Sequence, residues 1–329
     1  MRRSLLPLAP LVAVLAVGCG SSSSGSSHSS STPAPATAAE FPSAAGKTLT
    51  SLRGNLPDGI VLSPSTPTSI EVGRNRLGFA LFTVDRRQIS DAQVAVYTTD
   101  HDGRNVRGPY IAHWESMAVK PQFRSKTTAS DPLAGTGVYV ADVPVPTEGK
   151  RVFTGIARIG GKLVQTSGFE IPVPRPGDPA RPVDVGQKAP KMHTLTLTDA
   201  HGDASKIDTR VPPATDLLQV DYADVLGKKP IVLTFATPQL CQSRTCGPVV
   251  DVVDQVKAQT KGDVAFIHQE IYNENDPNKG YRSQLAVYRL ASEPWTYLIG
   301  KNGRVEARFE GAVGVDELQR AVDRLAART

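Results

Sequence analysis

The chain has 329 residues, about 40% hydrophobic and about 6% aromatic, with a formal net charge of +5. That length accommodates two ordinary domains with sizeable cores. With Arg2 and Arg3 set aside as part of a leader, the charge falls to near +3, too mild to argue for a nucleic-acid partner.

The first stretch has the order of a secretory leader. Arg2 and Arg3 precede an apolar run over 5–17, small residues follow, and then Cys19. The run is too short to span a bilayer. Ala16-Val17-Gly18-Cys19 resembles a bacterial lipobox, with Ala16 where leucine is commoner. The resemblance implies cleavage after residue 18 and lipid on Cys19. The protein is then expected at the cell membrane, lipid-anchored and facing outside the cytoplasm, where disulfides persist. Residues 19–47 are rich in Ser, Ala, Pro and Thr and read as a disordered tether. Gly46-Lys47-Thr48 lacks the upstream glycine of a phosphate loop.

Residues 48–173 are β-patterned. Short alternating runs at 69–72, 92–97 and 137–143 are separated by turn signals such as Asp58-Gly59, Asp102-Gly103 and Gly160-Gly161. The pattern resembles an immunoglobulin-like β-sandwich, without a disulfide between its sheets. His101, His113 and Trp114 stand alone here and read as packing residues. Residues 172–190 hold six prolines, and 174–185 reads as a semi-rigid linker.

From 186 to 329 the period changes. Short strands are expected at 193–197, 231–236, 264–271, 295–299 and 305–309. Helices are expected over about 247–260, near 281–288 and at the C-terminus, where Val315, Leu318, Val322 and Leu325 share one face. Asn302-Gly303 marks a hairpin.

The chemistry is expected around Cys241 and Cys246, which have four residues between them. They follow the apolar run 231–236 and precede Gly247-Pro248 and a valine-bearing helix. A helix start favours a thiolate, through its positive dipole end and its unpaired N–H groups. Two positions five apart in a regular helix lie roughly 8–9 Å apart and diverge by about 140°, too far for a disulfide. The helix is therefore expected to begin at or near Pro248, leaving both cysteines in the loop.

This order of elements, with cysteines at the first strand-to-helix junction and Pro294 before a strand, resembles a thioredoxin-like (redoxin) α/β domain. The resemblance implies a cis Glu293–Pro294 bond and a Pro294 that faces the thiols. The cysteine spacing is similar to that of thiol peroxidases of the bacterioferritin-comigratory type. That likeness implies attack by Cys241 and resolution by Cys246. Pro238 and Pro294 stand where that family has a threonine and an arginine, which leaves thiol–disulfide exchange as the expected chemistry. No cofactor is then needed, and the partners are extracytoplasmic protein thiols or disulfides. A second expectation is a copper chaperone of Sco type using Cys241, Cys246 and His268. A third is a non-catalytic binding lipoprotein with a structural disulfide.

Overall fold

A computed structural model describes residues 36–328. The leader and Cys19 lie outside the described residues, as does most of the expected tether. Residues 36–47 do not hang free: Phe41 and Ala44 are buried against Ala95, Tyr97 and Ile156, and Tyr97 donates a hydrogen bond to the Pro42 carbonyl at 2.7 Å.

Eight strands form the first sheet: β1 (Ile60–Pro64), β2 (Gly73–Thr83), β3 (Gln88–Ile89), β4 (Gln93–Asp100), β5 (Arg107–Ser116), β6 (Gly137–Val145), β7 (Gly149–Ile159) and β8 (Lys162–Val173). Their order is β1-β8-β7-β4-β5-β6-β2-β3, and β1 also pairs with β2. Seven strands therefore close into a barrel, with β3 appended to β2. Leu77, Phe79 and Leu81 of β2 alternate into its core, beside Val94, Val96, Tyr139 and Phe153. β4 is buried on both faces because Ala95 and Tyr97 point outward, under Phe41, Ala44 and Leu52 of α1 (Leu49–Arg53). A strand covered twice loses the polar half of its alternation.

The second sheet is small: β9 (Ile231–Phe235), β10 (Ala265–Gln269), β11 (Trp295–Ile299) and β12 (Val305–Glu310), in the order β10-β9-β11-β12. β10 runs parallel to β9, and β11 runs antiparallel to both β9 and β12. One face packs on α4 (Cys246–Gln259) and α6 (Val315–Ala326), through Val249, Val253, Leu318 and Val322. The other carries Leu233, Phe235 and Tyr297 against Tyr222 of α3 (Tyr222–Val225) and Leu285 and Tyr288 of α5 (Ser283–Tyr288). β9 is buried along its whole length because both faces are covered.

These observations correct the expected architecture. The immunoglobulin-like sandwich is a closed barrel: alternation marks strands but does not say which strands meet, and the pairing of β1 with both β2 and β8 closes the cylinder. The expected thioredoxin-like α/β domain, and with it the redoxin assignment, is overturned as well. The chain is mostly β, a seven-strand barrel plus a small second sheet, and six short helices serve both among the described residues. The strand expected at 193–197 is absent; Thr196 and Asp199 form a hydrogen-bonded turn there instead. The proline-rich stretch 174–185 packs, with Val183 buried and Arg181 ion-paired to Glu71. No helix among the described residues is long and apolar enough to cross a membrane.

Barrel and small sheet are joined by buried and half-buried polar contacts. Arg76 of β2 grips both oxygens of Glu317 at 2.6 and 2.7 Å. The segment between β5 and β6, which contains α2 (Lys126–Ser130), reaches α4: the Ser125 N–H and hydroxyl both donate to Asp251 at 3.1 Å. Gly311 adopts φ +70°, and a Cβ there would collide with the Ser65 carbonyl of the barrel. Gly303, at φ +71°, has only the Leu226 side chain near its Cβ position, at 4.0 Å. Gly311→Ala should therefore cost about 3 kcal/mol or more, strain and collision together. Gly303→Ala should cost about 1 kcal/mol, the strain alone. Urea midpoints of the two variants, measured side by side, check the difference.

Candidate functional site

β9 ends at Phe235, and the chain turns through Thr237 and Pro238 into an exposed loop that carries Cys241. α4 begins at Cys246, two residues before the expected start, so that Cys246 is its first residue. Its thiol is fully buried, whereas Cys241 is half-buried; both cysteines are free. The two lie on different kinds of backbone, loop and helix end, so the spacing that forbids a bridge within one helix does not apply. Their sulfurs lie within 4.8 Å of each other.

The neighbouring strand completes the site. Trp295 of β11 pairs with Phe235 of β9, so the residues entering β11 lie beside those leaving β9. The Glu293–Pro294 bond is cis. The Glu293 carboxylate comes within 4.8 Å of both sulfurs, and its Oε2 is buried with no hydrogen-bond partner.

The electrostatics separate the two thiols. The Cys241 sulfur accepts from the Cys246 N–H at 3.4 Å and lies 3.1 Å from the Ser243 hydroxyl. Hydrogen bonds from the Cys246 thiol, the Ser243 hydroxyl and the backbone N–H groups of Cys246 and Thr245 bring its pKa down to about 6, against the opposing effect of burial. Cys246 goes the other way: burial, then its hydrogen bond to the Cys241 sulfur and the charge there, hold its pKa well above the ordinary value. Burial, and then the Cys241 thiolate, raise Glu293 to about 8. At neutral pH the site thus holds one thiolate, one thiol and one largely protonated carboxyl.

The barrel helps to hold the loop. Arg244, at φ +56°, forms an ion pair with Asp131 at 2.8 Å, and its carbonyl accepts from the Gly135 N–H at 3.1 Å. A cleft of about 500 Å³ opens in front of Cys241, lined by Thr127, Asp131, Pro238, Gln239 and Arg244. A smaller one of about 240 Å³ lies on the other side of the loop, between Ser243, Glu293 and the stacked rings of Tyr272 and Tyr281.

Of the residues expected to act, Cys241 and Cys246 are brought together, and Pro294 sits at the entry to the adjacent strand. His268 is not with them. It belongs to a separate buried group with Asp208 and Glu270, and Glu293 occupies the third place beside the thiols. The donor set Cys241, Cys246 and His268 is therefore not assembled. Glu293 was missed as a functional group because a single carboxylate has no spacing pattern. Its position before Pro294 at the entry to a strand beside the thiol loop was the available signal. No family model matches this chain, and no curated protein matches it.

Iodoacetamide should label Cys241 with a rate that rises through a midpoint near pH 6, while Cys246 stays unlabelled in the folded protein. Cys246→Ala removes the thiol that does most to lower the Cys241 pKa and should move that midpoint up by roughly one unit. A Cys241 midpoint at an ordinary thiol value in the parent protein would contradict this electrostatic picture.

Proposed function

We propose that the protein is a thiol–disulfide oxidoreductase with Cys241 as nucleophile, Cys246 as resolving thiol and Glu293 as the proton carrier between them. The observation that carries this reading is the asymmetry of the pair: a half-buried sulfur biased to thiolate lies within 4.8 Å of a fully buried thiol, with a half-buried carboxyl in reach of both. An inert pair gains nothing from such a difference; exchange requires it.

The steps follow from the charges. The Cys241 thiolate attacks one sulfur of a partner disulfide; a mixed disulfide forms and the other partner sulfur leaves as thiolate. Glu293, protonated below about pH 8, supplies the proton to that leaving group. The attack also removes the negative charge that helped to hold the proton on Glu293. The carboxylate left behind is then able to accept the proton of Cys246. The Cys246 thiolate attacks the Cys241 sulfur, the internal disulfide forms, and the second partner sulfur leaves as thiolate and takes the proton that Glu293 had accepted from Cys246. Two electrons pass to the partner, and the reverse sequence oxidises a partner dithiol. A thiolate stabilised in the reduced pair favours that reverse direction, as in strongly oxidising exchangers. The leader-like first residues support a site of action outside the cytoplasm, with protein thiols and disulfides as partners.

Trapping tests the assignment. Cys246→Ser should accumulate a mixed disulfide through Cys241, whereas Cys241→Ser should accumulate none and lose insulin-reductase activity. Full activity in Cys241→Ser would overturn the reading. Glu293→Gln should keep the pH midpoint of Cys241 alkylation near that of the parent but slow resolution of the mixed disulfide roughly 100-fold, the usual scale of a lost proton carrier.

A further inference from the structure

Behind the thiol site lies a second cluster of ionisable groups that exchange chemistry does not use. Asp208, His268 and Glu270 are 2%, 1% and 0% exposed, and one candidate ligand atom from each lies within 4.8 Å of the others. His268 stands on β10, Glu270 follows that strand directly, and Asp208 comes from the loop before α3.

The imidazole geometry poses the question. His268 Nε2 lies 3.1 Å from the Ala236 carbonyl, an acceptor, so Nε2 carries the proton. In the neutral ring, Nδ1 then presents a lone pair. That atom is buried, makes no hydrogen bond and lies 3.6 Å from Asp208 Oδ1. A lone pair facing a carboxylate needs a positive charge between them. The distance is too long for a good hydrogen bond. It is close to the edge of a tetrahedral site, where two ligand bonds of about 2.1 Å give roughly 3.4 Å between donor atoms. Glu270 Oε2 is a second buried atom without a partner.

All three side chains are already oriented by other hydrogen bonds. Glu270 Oε1 accepts from the Thr209 N–H at 2.8 Å and from its hydroxyl at 2.6 Å. Asp208 Oδ2 accepts from the Ala214 N–H at 2.7 Å, and Oδ1, the oxygen that faces the ring, accepts from the Arg210 N–H at 2.8 Å. Such outer hydrogen bonds characterise metal ligands, including a histidine whose second nitrogen donates to a main-chain carbonyl.

We propose that Asp208, His268 and Glu270 form a buried structural site for a divalent first-row cation, with Zn²⁺ as the probe. One nitrogen and two carboxylate oxygens are ligands that such ions accept. Because the ligands are buried, the ion enters during folding and strengthens the folded state.

The test uses the full chain carrying Cys241→Ser and Cys246→Ser, so that the thiols take no metal. The protein is refolded with Zn²⁺ or with EDTA and then dialysed. One equivalent of zinc by mass spectrometry, with a higher unfolding temperature than the EDTA form, is expected. Zinc should fall below a tenth of an equivalent in the same chain with His268→Gln. If that variant does not fold, the folded parent decides through the NMR shifts of the His268 ring. An imidazolium ring at pH 7 after refolding with Zn²⁺ overturns the proposal, as does a parent that folds without zinc and shows no thermal shift.

Discussion

One carboxylate ties the three parts of the molecule that matter. Glu310, at the end of β12, is only 2% exposed. It accepts from the Thr68 and Ser69 N–H groups, from the Thr68 hydroxyl and from the Ser292 hydroxyl. Thr68 and Ser69 lie in the barrel connection between β1 and β2. Ser292 immediately precedes Glu293, and its hydroxyl also accepts from the Trp295 indole at 3.0 Å. A carboxyl group this deep is tolerated only when its lone pairs are filled, and here they are. Barrel, small sheet and the approach to the thiol pair are thus held at one point.

From that tie the chemistry follows by register. β11 beside β9 brings the end of one strand to the start of the other, and their flanking residues carry opposite roles. The thiol loop follows β9, and the carboxyl precedes β11. The start of α4 adds N–H groups to Cys241, while its body sinks Cys246 into the valine-rich face beneath. The same helix end therefore makes one thiol acidic and the other inert to solvent. Burial pushes both cysteines toward the neutral form; only Cys241 has enough donors to overcome it.

Part of this was legible in the chain and part was not. Cys241, Cys246 and Pro294 stand out because cysteine and proline are rare, directional residues whose positions between apolar runs carry meaning. The strands at 231–235, 295–299 and 305–310 follow from hydrophobic runs and the Asn302-Gly303 turn. Barrel closure was not legible, since the alternation of Leu77, Phe79 and Leu81 is the same in a sandwich and a cylinder. Nor was the ordering of residues 36–47: a composition poor in large apolar groups hid the anchoring of Phe41 beside Tyr97. Glu293 had only its place before Pro294 to mark it, and the meeting of Asp208 with His268 and Glu270 depends on long-range placement that no local pattern encodes. His268 was noticed, but its partners could be found only in three dimensions.

The clamp on the thiol loop comes from an early part of the polypeptide. Asp131, Gly135 and Ser125 all belong to the excursion between β5 and β6, whereas the sulfurs lie more than a hundred positions later. A chain made from its amino terminus completes the cylinder and its cover before the cysteine segment exists. Cys241 therefore emerges toward a template already in place, and its electrostatic setting is prepared in advance by residues that never touch a substrate electron.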